Sequence, residues 1–103
     1  MTPERFNMLV LEQVEAIQTV LTSKAKEYAA DDDRLHNFKV AAAFAGTRPA
    51  EECWGFARKH LVSIMDMVKS GKDYPQELWS EKLGDAVNYL ILLKACVEDQ
   101  GAK

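Results

Sequence analysis

The sequence has 103 residues, a formal net charge of -3 and 48% hydrophobic residues, a balance typical of one globular domain. The acidic balance argues against a general nucleic-acid-binding protein, because such proteins usually carry a basic stripe. The first five residues lack a signal-peptide pattern, and the longest apolar run is too short and too interrupted to cross a bilayer. We therefore expect a cytoplasmic protein that makes no membrane contact.

Apolar residues at helical spacing predict four helices, three long and one short, with no strands. The expected boundaries are Pro3 to Ala29, Arg34 to Phe44, Pro49 up to a stop at Gly71, and Pro75 up to a stop at Gly101. Thr2 is the expected N-cap of the first helix, and one of the three aspartates at 31–33 is expected to cap the second. The chain is therefore predicted to be a single all-α helical bundle over residues 1–103.

The fourth helix is apolar on most of its circumference, which indicates burial on more than one side. One stripe, predicted to face the core, consists of Trp79, Leu83, Ala86, Val87, Leu90, Leu93 and Val97. The opposite stripe mixes apolar and polar residues and consists of Leu78, Glu81, Asp85, Asn88, Leu92 and Cys96. One interpretation of the second stripe is a subunit interface through its apolar members, since a core this small would gain from oligomerisation.

Two carboxylates on the mixed stripe form the leading candidate site. Glu81 and Asp85 are one turn apart and point the same way, so they could hold a hard cation such as Mg²⁺ with further ligands from a neighbouring helix. Asp66 on the third helix is a candidate for such a ligand. The alternative interpretation is a polar patch at a helix–helix or subunit boundary. Asn88, one turn further on, could bind a ligand or simply fix the helix register.

Two further groups of residues have both a functional and a structural interpretation. His60 borders the core stripe of the third helix and is either a hydrogen-bonded core residue or a proton acceptor. Polar residues around the first inter-helix turn either contact a phosphate or base, or pair with the aspartates at 31–33. These residues are Lys24, Tyr28, Arg34, Asn37 and Lys39. Cys53 and Cys96 are expected to be buried thiols, with a disulfide between them left open.

The segment Glu81–Leu90, with Leu-Gly-Asp at 83–85, resembles the acidic helix of the MazG-like, all-α nucleotide pyrophosphohydrolase superfamily. The chain is most similar to small phage-encoded proteins at the edge of that superfamily. The shared pattern is Lys-x-x-x-Tyr at 24–28, Asn-Phe at 37–38 and Asp-x-x-Asn-Tyr at 85–89. The resemblance covers about residues 21–97 and depends on the order and spacing of these short motifs.

The resemblance implies hydrolysis of nucleoside triphosphates to the monophosphate and pyrophosphate with Mg²⁺, in a dimer or tetramer. It places Asp85 at the last acid of the Glu-x-x-Asp motif. Lys82 stands where that motif has Glu, with Glu81 adjacent, and the first acidic motif is missing from residues 58–63. The implied site has Asp85, Glu81 and His60 in catalysis and Asp66 as a further metal ligand. The implied nucleotide contacts are Lys24, Tyr28, Asn37, Lys59 and Asn88.

Two other functions agree with the same residues. A non-catalytic bundle could bind a protein partner or a phosphorylated ligand, and the incomplete acidic motifs favour this alternative. A purely structural helical oligomer would use the apolar character of the fourth helix for subunit contacts. Nucleotide binding, turnover and oligomeric state distinguish the three.

Overall fold

In the computed structural model, which describes residues 1–23 and 33–101, four helices make up the regular structure. They are α1 (Pro3–Ser23), α2 (His36–Ala45), α3 (Pro49–Ser70) and α4 (Gln76–Asp99). The predicted all-α bundle with three long helices and one short one is confirmed for this part of the chain. None of these helices is long and apolar enough to cross a membrane.

The helix ends follow the signals in the sequence. Thr2 Oγ1 accepts a hydrogen bond of 3.0 Å from the backbone N–H of Arg5, which is the predicted N-cap of α1. Gly46 and Gly71 follow α2 and α3 with φ of 71° and 69°, the left-handed conformation in which glycine ends a helix without steric cost. The predicted C-terminal part of the first helix, after Ser23, lies outside the described residues.

Helix α2 begins at His36, two residues after the predicted start at Arg34. The reason is that Asp33 organises a turn before the helix instead of capping it. Its carboxylate accepts hydrogen bonds of 2.9 Å from the backbone N–H of Leu35 and 2.7 Å from Lys39 Nζ. Lys39 Nζ also lies 3.1 Å from a carboxylate oxygen of Asp99 at the end of α4. The lysine therefore ties the start of α2 to the last turn of α4.

The tightest packing lies between α3 and α4. Cys53, Ala57 and Cys96 are 0% exposed, and both thiols are free, so the open question of a disulfide is answered in the negative. Cys53 Sγ donates a 3.4 Å hydrogen bond to the carbonyl oxygen of Tyr89. Burial, with smaller contributions from Cys96, raises the pKa of the Cys53 thiol to about 12. The Cys53 thiol is therefore held in its neutral form within this contact.

The predicted core face of α4 is wrong in part. Leu83, Leu90 and Val97 are exposed, whereas Asn88 and Cys96 from the opposite stripe are buried. The reason is geometric: α4 packs between α1 and α3, and the mixed stripe lies on the side where both neighbours meet it. Cys96 is covered within a single chain and so is not available for the subunit contact suggested from the sequence.

Helix α1 packs against α4 along only part of its length. Gln13 Nε2 donates a 3.2 Å hydrogen bond to the carbonyl oxygen of Ser80 near the start of α4. A Cβ atom at Gly84 would lie 3.2 Å from the same nitrogen, so the glycine permits this close approach. Before Gln13, the apolar side of α1 continues through Phe6 and Val10, which remain exposed. The first half of α1 thus keeps part of its apolar surface exposed.

Candidate functional site

A cavity of about 460 Å³ lies between α1, α2, α3 and α4. Its wall combines apolar side chains from α1 and α2 with aromatic and polar side chains from α2, α3 and α4. The lining residues are Val20, Leu21, Arg34, Asn37, Phe38, Ala41, Phe56, His60, Asp85, Asn88, Tyr89 and Leu92. An apolar cavity of this size with a few polar groups is the usual form of a small-molecule site.

Four rings form one wall of this cavity. Tyr89 stacks on His60 with ring centroids 4.9 Å apart and on Phe56 with centroids 5.7 Å apart. Phe38 meets Phe56 edge to face at 6.2 Å. Phe56 and His60 are one turn apart on α3, so both reach the ring that α4 contributes. The rings hold one another in fixed orientations and present an aromatic surface to the cavity.

A smaller cavity of about 300 Å³ adjoins the larger one between α1 and α4. Its lining residues are Ala16, Val20, Ser80, Glu81, Gly84, Asp85 and Asn88. Glu81 and Asp85 therefore share one small space, as their spacing along the helix predicted. Val20, Asp85 and Asn88 line both cavities. These three residues form the boundary between an aromatic compartment and an acidic one.

Asn88 is the one buried polar side chain among the described residues, with 5% exposure. Its Oδ1 atom is buried and has no hydrogen-bond partner among them. Leaving a buried acceptor unpaired costs about 1–3 kcal/mol, and no residue within 1–23 or 33–101 offsets that cost at this atom. Asn88 therefore lies in the wall of both cavities with an amide oxygen that no described residue pairs with.

The structure brings together five of the residues predicted for the site. Asn37, His60, Asp85 and Asn88 line the larger cavity, and Glu81 joins Asp85 and Asn88 in the smaller one. Lys59 and Asp66 are exposed and line neither cavity. Lys24 and Tyr28 lie outside the described residues.

The oxygen atoms in the smaller cavity suit a hard cation in kind but are few in number. In residues 1–23 and 33–101, no group of three or more His, Cys, Asp or Glu side chains could hold a metal ion. Two carboxylates and an amide are nevertheless the hard ligands that Mg²⁺ uses, and it commonly takes its other ligands from water and substrate phosphates. Glu81, Asp85 and Asn88 are therefore a partial ligand set.

Phe56, Tyr89 and Arg34 line the larger cavity, although they were not predicted as site residues from the sequence. Phe56 lies beside the expected core stripe of α3, and Tyr89 belongs to the Asp-x-x-Asn-Tyr pattern. Arg34 was placed only in the polar cluster at the first turn. The signal that could have identified Phe56 is its spacing of four residues from His60, which puts both rings on one face of α3.

Comparisons of the chain with known protein families, with curated proteins and with solved structures gave no match. The MazG-like resemblance therefore remains a prediction, and the arguments for function depend on the geometry of the two cavities.

Proposed function

We propose that this chain binds a nucleotide, with its base in the larger cavity and its phosphates beside a Mg²⁺ ion held by Asp85 and Glu81. The single observation that carries the proposal is the boundary between the cavities, where Asp85 and Asn88 belong to both an aromatic and an acidic compartment. A nucleotide has the same two parts, a flat ring and a charged phosphate chain. The MazG-like resemblance implies the same class of ligand.

The aromatic wall supports a ring-shaped ligand. Stacking of a base on an aromatic side chain contributes about 1–3 kcal/mol and needs no particular base. The rings of His60, Phe56 and Tyr89 are already oriented by one another, so a base would find a preformed surface. The volume of about 460 Å³ is within the usual range for small-molecule sites.

The two carboxylates support a cation between protein and phosphates. Glu81 and Asp85 would repel a phosphate chain by themselves, because like charges at short distance are unfavourable. A bound Mg²⁺ would neutralise part of the phosphate charge and polarise a water molecule. Arg34, in the wall of the larger cavity, offers a fixed positive charge to the same ligand.

Hydrolysis to the monophosphate and pyrophosphate is the reaction implied by the resemblance. His60 lines the larger cavity and is the proposed proton acceptor of this reaction. Asp85 would position the reacting phosphates by holding the cation, and the apolar wall would exclude bulk water from the ring. Nucleotide binding without hydrolysis is the second candidate function. It is favoured because this chain offers two carboxylates to the metal, Glu81 and Asp85, whereas the MazG-like superfamily uses four.

Isothermal titration calorimetry with a panel of nucleoside triphosphates, with and without Mg²⁺, tests the proposal. We expect binding that weakens at least about tenfold when Mg²⁺ is withheld, and a similar loss in Asp85→Asn with Mg²⁺ present. Asp73→Asn is the matched control, since Asp73 is an exposed carboxylate between α3 and α4. An assay for released pyrophosphate then separates hydrolysis from binding alone.

Three outcomes are informative. Mg²⁺-dependent binding with pyrophosphate release supports the enzyme, and Mg²⁺-dependent binding without release supports the non-catalytic alternative. Equal binding by Asp85→Asn and the wild type contradicts the assignment of the cation to this site. Absence of binding by every nucleotide contradicts the proposal as a whole.

We also propose that two copies of the chain associate through the first half of α1. The apolar stripe that packs on α4 after Gln13 continues through Phe6, Leu9 and Val10, which are 54%, 38% and 42% exposed. A second copy would cover this stripe with an identical one, the usual arrangement in a two-fold dimer. Sedimentation should detect an association that Val10→Asp removes, whereas a wild-type monomer at high concentration contradicts the association.

A further inference from the structure

We infer that a second copy of the chain packs against the side of the α3–α4 pair that points away from both cavities, and that the two pairs form an antiparallel bundle of four helices. The inference does not depend on the proposed nucleotide site, and the surface differs from the first half of α1. Its basis is a row of exposed apolar side chains at seven-residue spacing on each helix, here called the α3–α4 face. These side chains are 38% to 66% exposed and belong to Trp54, Leu61, Val68, Leu83, Leu90 and Val97.

The two rows lie side by side on the same side of the helix pair. Helices α3 and α4 are antiparallel, since Cys53 packs in one cluster with Cys96 and the His60 ring stacks on Tyr89. The next residue on each helix therefore forms a neighbouring pair, and one further step of seven residues adds a third pair. The three pairs are Trp54 with Val97, Leu61 with Leu90, and Val68 with Leu83.

The α3–α4 face is opposite to the proposed ligand site. Successive residues of an α-helix are about 100° apart, so a residue two positions further on lies about 200° around the helix. Phe56 follows Trp54 by two positions and lines the larger cavity, and Asp85 follows Leu83 by two positions and lines both cavities. A partner can therefore cover the α3–α4 face without closing either cavity.

The seven-residue spacing indicates that the partner is a pair of helices. Apolar residues at this spacing pack between helices that cross at about 20°, the geometry of four-helix bundles. Ala57 and Ala86, three residues after Trp54 and Leu83, complete the pattern and are buried within the single chain. The exposed rows are the other half of the same pattern. A second copy carries identical rows, so two α3–α4 faces packed together cover each other.

The charges on α3 favour a second copy in the antiparallel orientation. Glu51 and Glu52 are in the first turn of α3, and Lys69 is in its last turn. A two-fold axis across the helices places the first turn of one copy beside the last turn of the other, so unlike charges meet. The middle pair, Leu61 with Leu90, then lies next to the axis.

The α3–α4 face is large enough for a stable interface. Helix α3 has 22 residues and is therefore about 33 Å long. Two helices packed side by side are about 20 Å wide, so the face measures about 650 Å². Specific interfaces of standard size bury about 600–1,000 Å² on each partner, and this face lies within that range.

Sedimentation velocity over a range of concentrations tests the inference. Two different two-fold contacts on one chain build a tetramer, so the wild type should be a tetramer and Val10→Asp, without the α1 contact, a dimer. Adding Leu90→Asp to Val10→Asp should raise the dimer dissociation constant at least about a hundredfold, because each copy then buries an unpaired carboxylate. Phe44→Asp, at an 89% exposed position of α2, is the matched control and should leave the constant unchanged. Lys69→Glu should raise it about threefold, since like charges then meet.

Three outcomes would overturn the inference. The first is a Val10→Asp protein that stays monomeric at high concentration. The second is an equal dissociation constant after Leu90→Asp and after Phe44→Asp, which shows that association uses another surface. If Leu90→Asp does not fold, Val68→Asp, at the most exposed of the six positions, replaces it. The third is an unchanged or tighter dimer after Lys69→Glu, which contradicts the antiparallel orientation. A wild-type dimer that Leu90→Asp dissociates and Val10→Asp does not supports the α3–α4 contact and contradicts the α1 contact.

Discussion

The two sides of α4 are packed in different ways. Towards α3, Cys53, Ala57 and Cys96 have no exposed surface, and a thiol fills the space beside the Tyr89 carbonyl oxygen. Outside that contact, two adjoining cavities lie along α4, the smaller between α1 and α4 and the larger between all four helices. The buried amide oxygen of Asn88 has no partner among the described residues. The comparison teaches that one side of the helix supplies stability and holds α4 in place, while the other side leaves space for a ligand.

The largest expected effect comes from placing a charge in the fully buried contact between α3 and α4. Ala57→Asp should destabilise the protein by about 3–5 kcal/mol, because an unpaired carboxylate in a fully buried position is strongly unfavourable. Chemical denaturation followed by circular dichroism measures the change. Ala43→Asp, at an exposed position of α2, should cost less than about 1 kcal/mol. Similar costs at the two positions would contradict the description of the α3–α4 contact as closed.

A second prediction concerns the free energy of local opening. Amides in the first half of α1 should exchange with solvent at an opening free energy at least about 2 kcal/mol below that of amides in the middle of α3. The reason is that few buried apolar contacts hold this part of α1 in a single chain. Hydrogen exchange in dilute solution gives both values. Equal protection of the two helices would indicate that α1 is covered, and a rise in α1 protection with concentration would indicate the proposed dimer.

A third prediction uses the buried thiol. The pKa of Cys53 is raised to about 12, mainly by burial, so the folded protein keeps the thiol protonated above the ordinary value of 9.0. This contribution to stability is present below pH 9 and is lost as the pH rises towards 12. Cys53→Ala should cost about 1–2 kcal/mol at pH 7 through the cavity it leaves, and less at pH 10. A cost that is the same at both pH values would contradict a thiol held neutral by its surroundings.

The smallest expected effect is at the surface, where Lys39 joins Asp33 and Asp99. The hydrogen bond from Lys39, with that from the Leu35 N–H, lowers the pKa of Asp33 below its ordinary value of 3.8. The stability from this pair is therefore present above pH 3.8 and is lost as the pH falls through the lowered value. Lys39→Met should reduce the melting temperature slightly at pH 7 and not at about pH 2, since exposed ion pairs contribute little.

The helices and the shared direction of the Glu81 and Asp85 side chains could be predicted from the sequence, because both depend on local spacing. Helix ends at Gly46 and Gly71 follow from the conformational freedom of glycine, and the shared space of Glu81 and Asp85 follows from one turn of helix. The prediction of which side of α4 faces the core was wrong for Leu83 and Leu90. That property depends on where α1 and α3 cross the helix, which the apolar pattern of one segment does not determine.

The aromatic wall could not be predicted because its members come from three helices. Phe38, Phe56 and Tyr89 are far apart in the sequence, and their contact depends on the relative rotation of α2, α3 and α4. Asp66 is close to His60 in the sequence, six residues later on α3, but it lies outside both cavities. Spacing within one helix predicts neighbours on that helix, whereas a site between helices depends on packing.

The most direct test of the central claim is nuclear magnetic resonance mapping of nucleotide binding, with and without Mg²⁺. The account predicts that nucleotide shifts the signals of His60, Tyr89 and Asn88, and that Mg²⁺ adds changes at Glu81 and Asp85. Shifts confined to exposed residues such as Lys59 and Asp66, or to the first half of α1, would contradict a ligand site in the two cavities along α4.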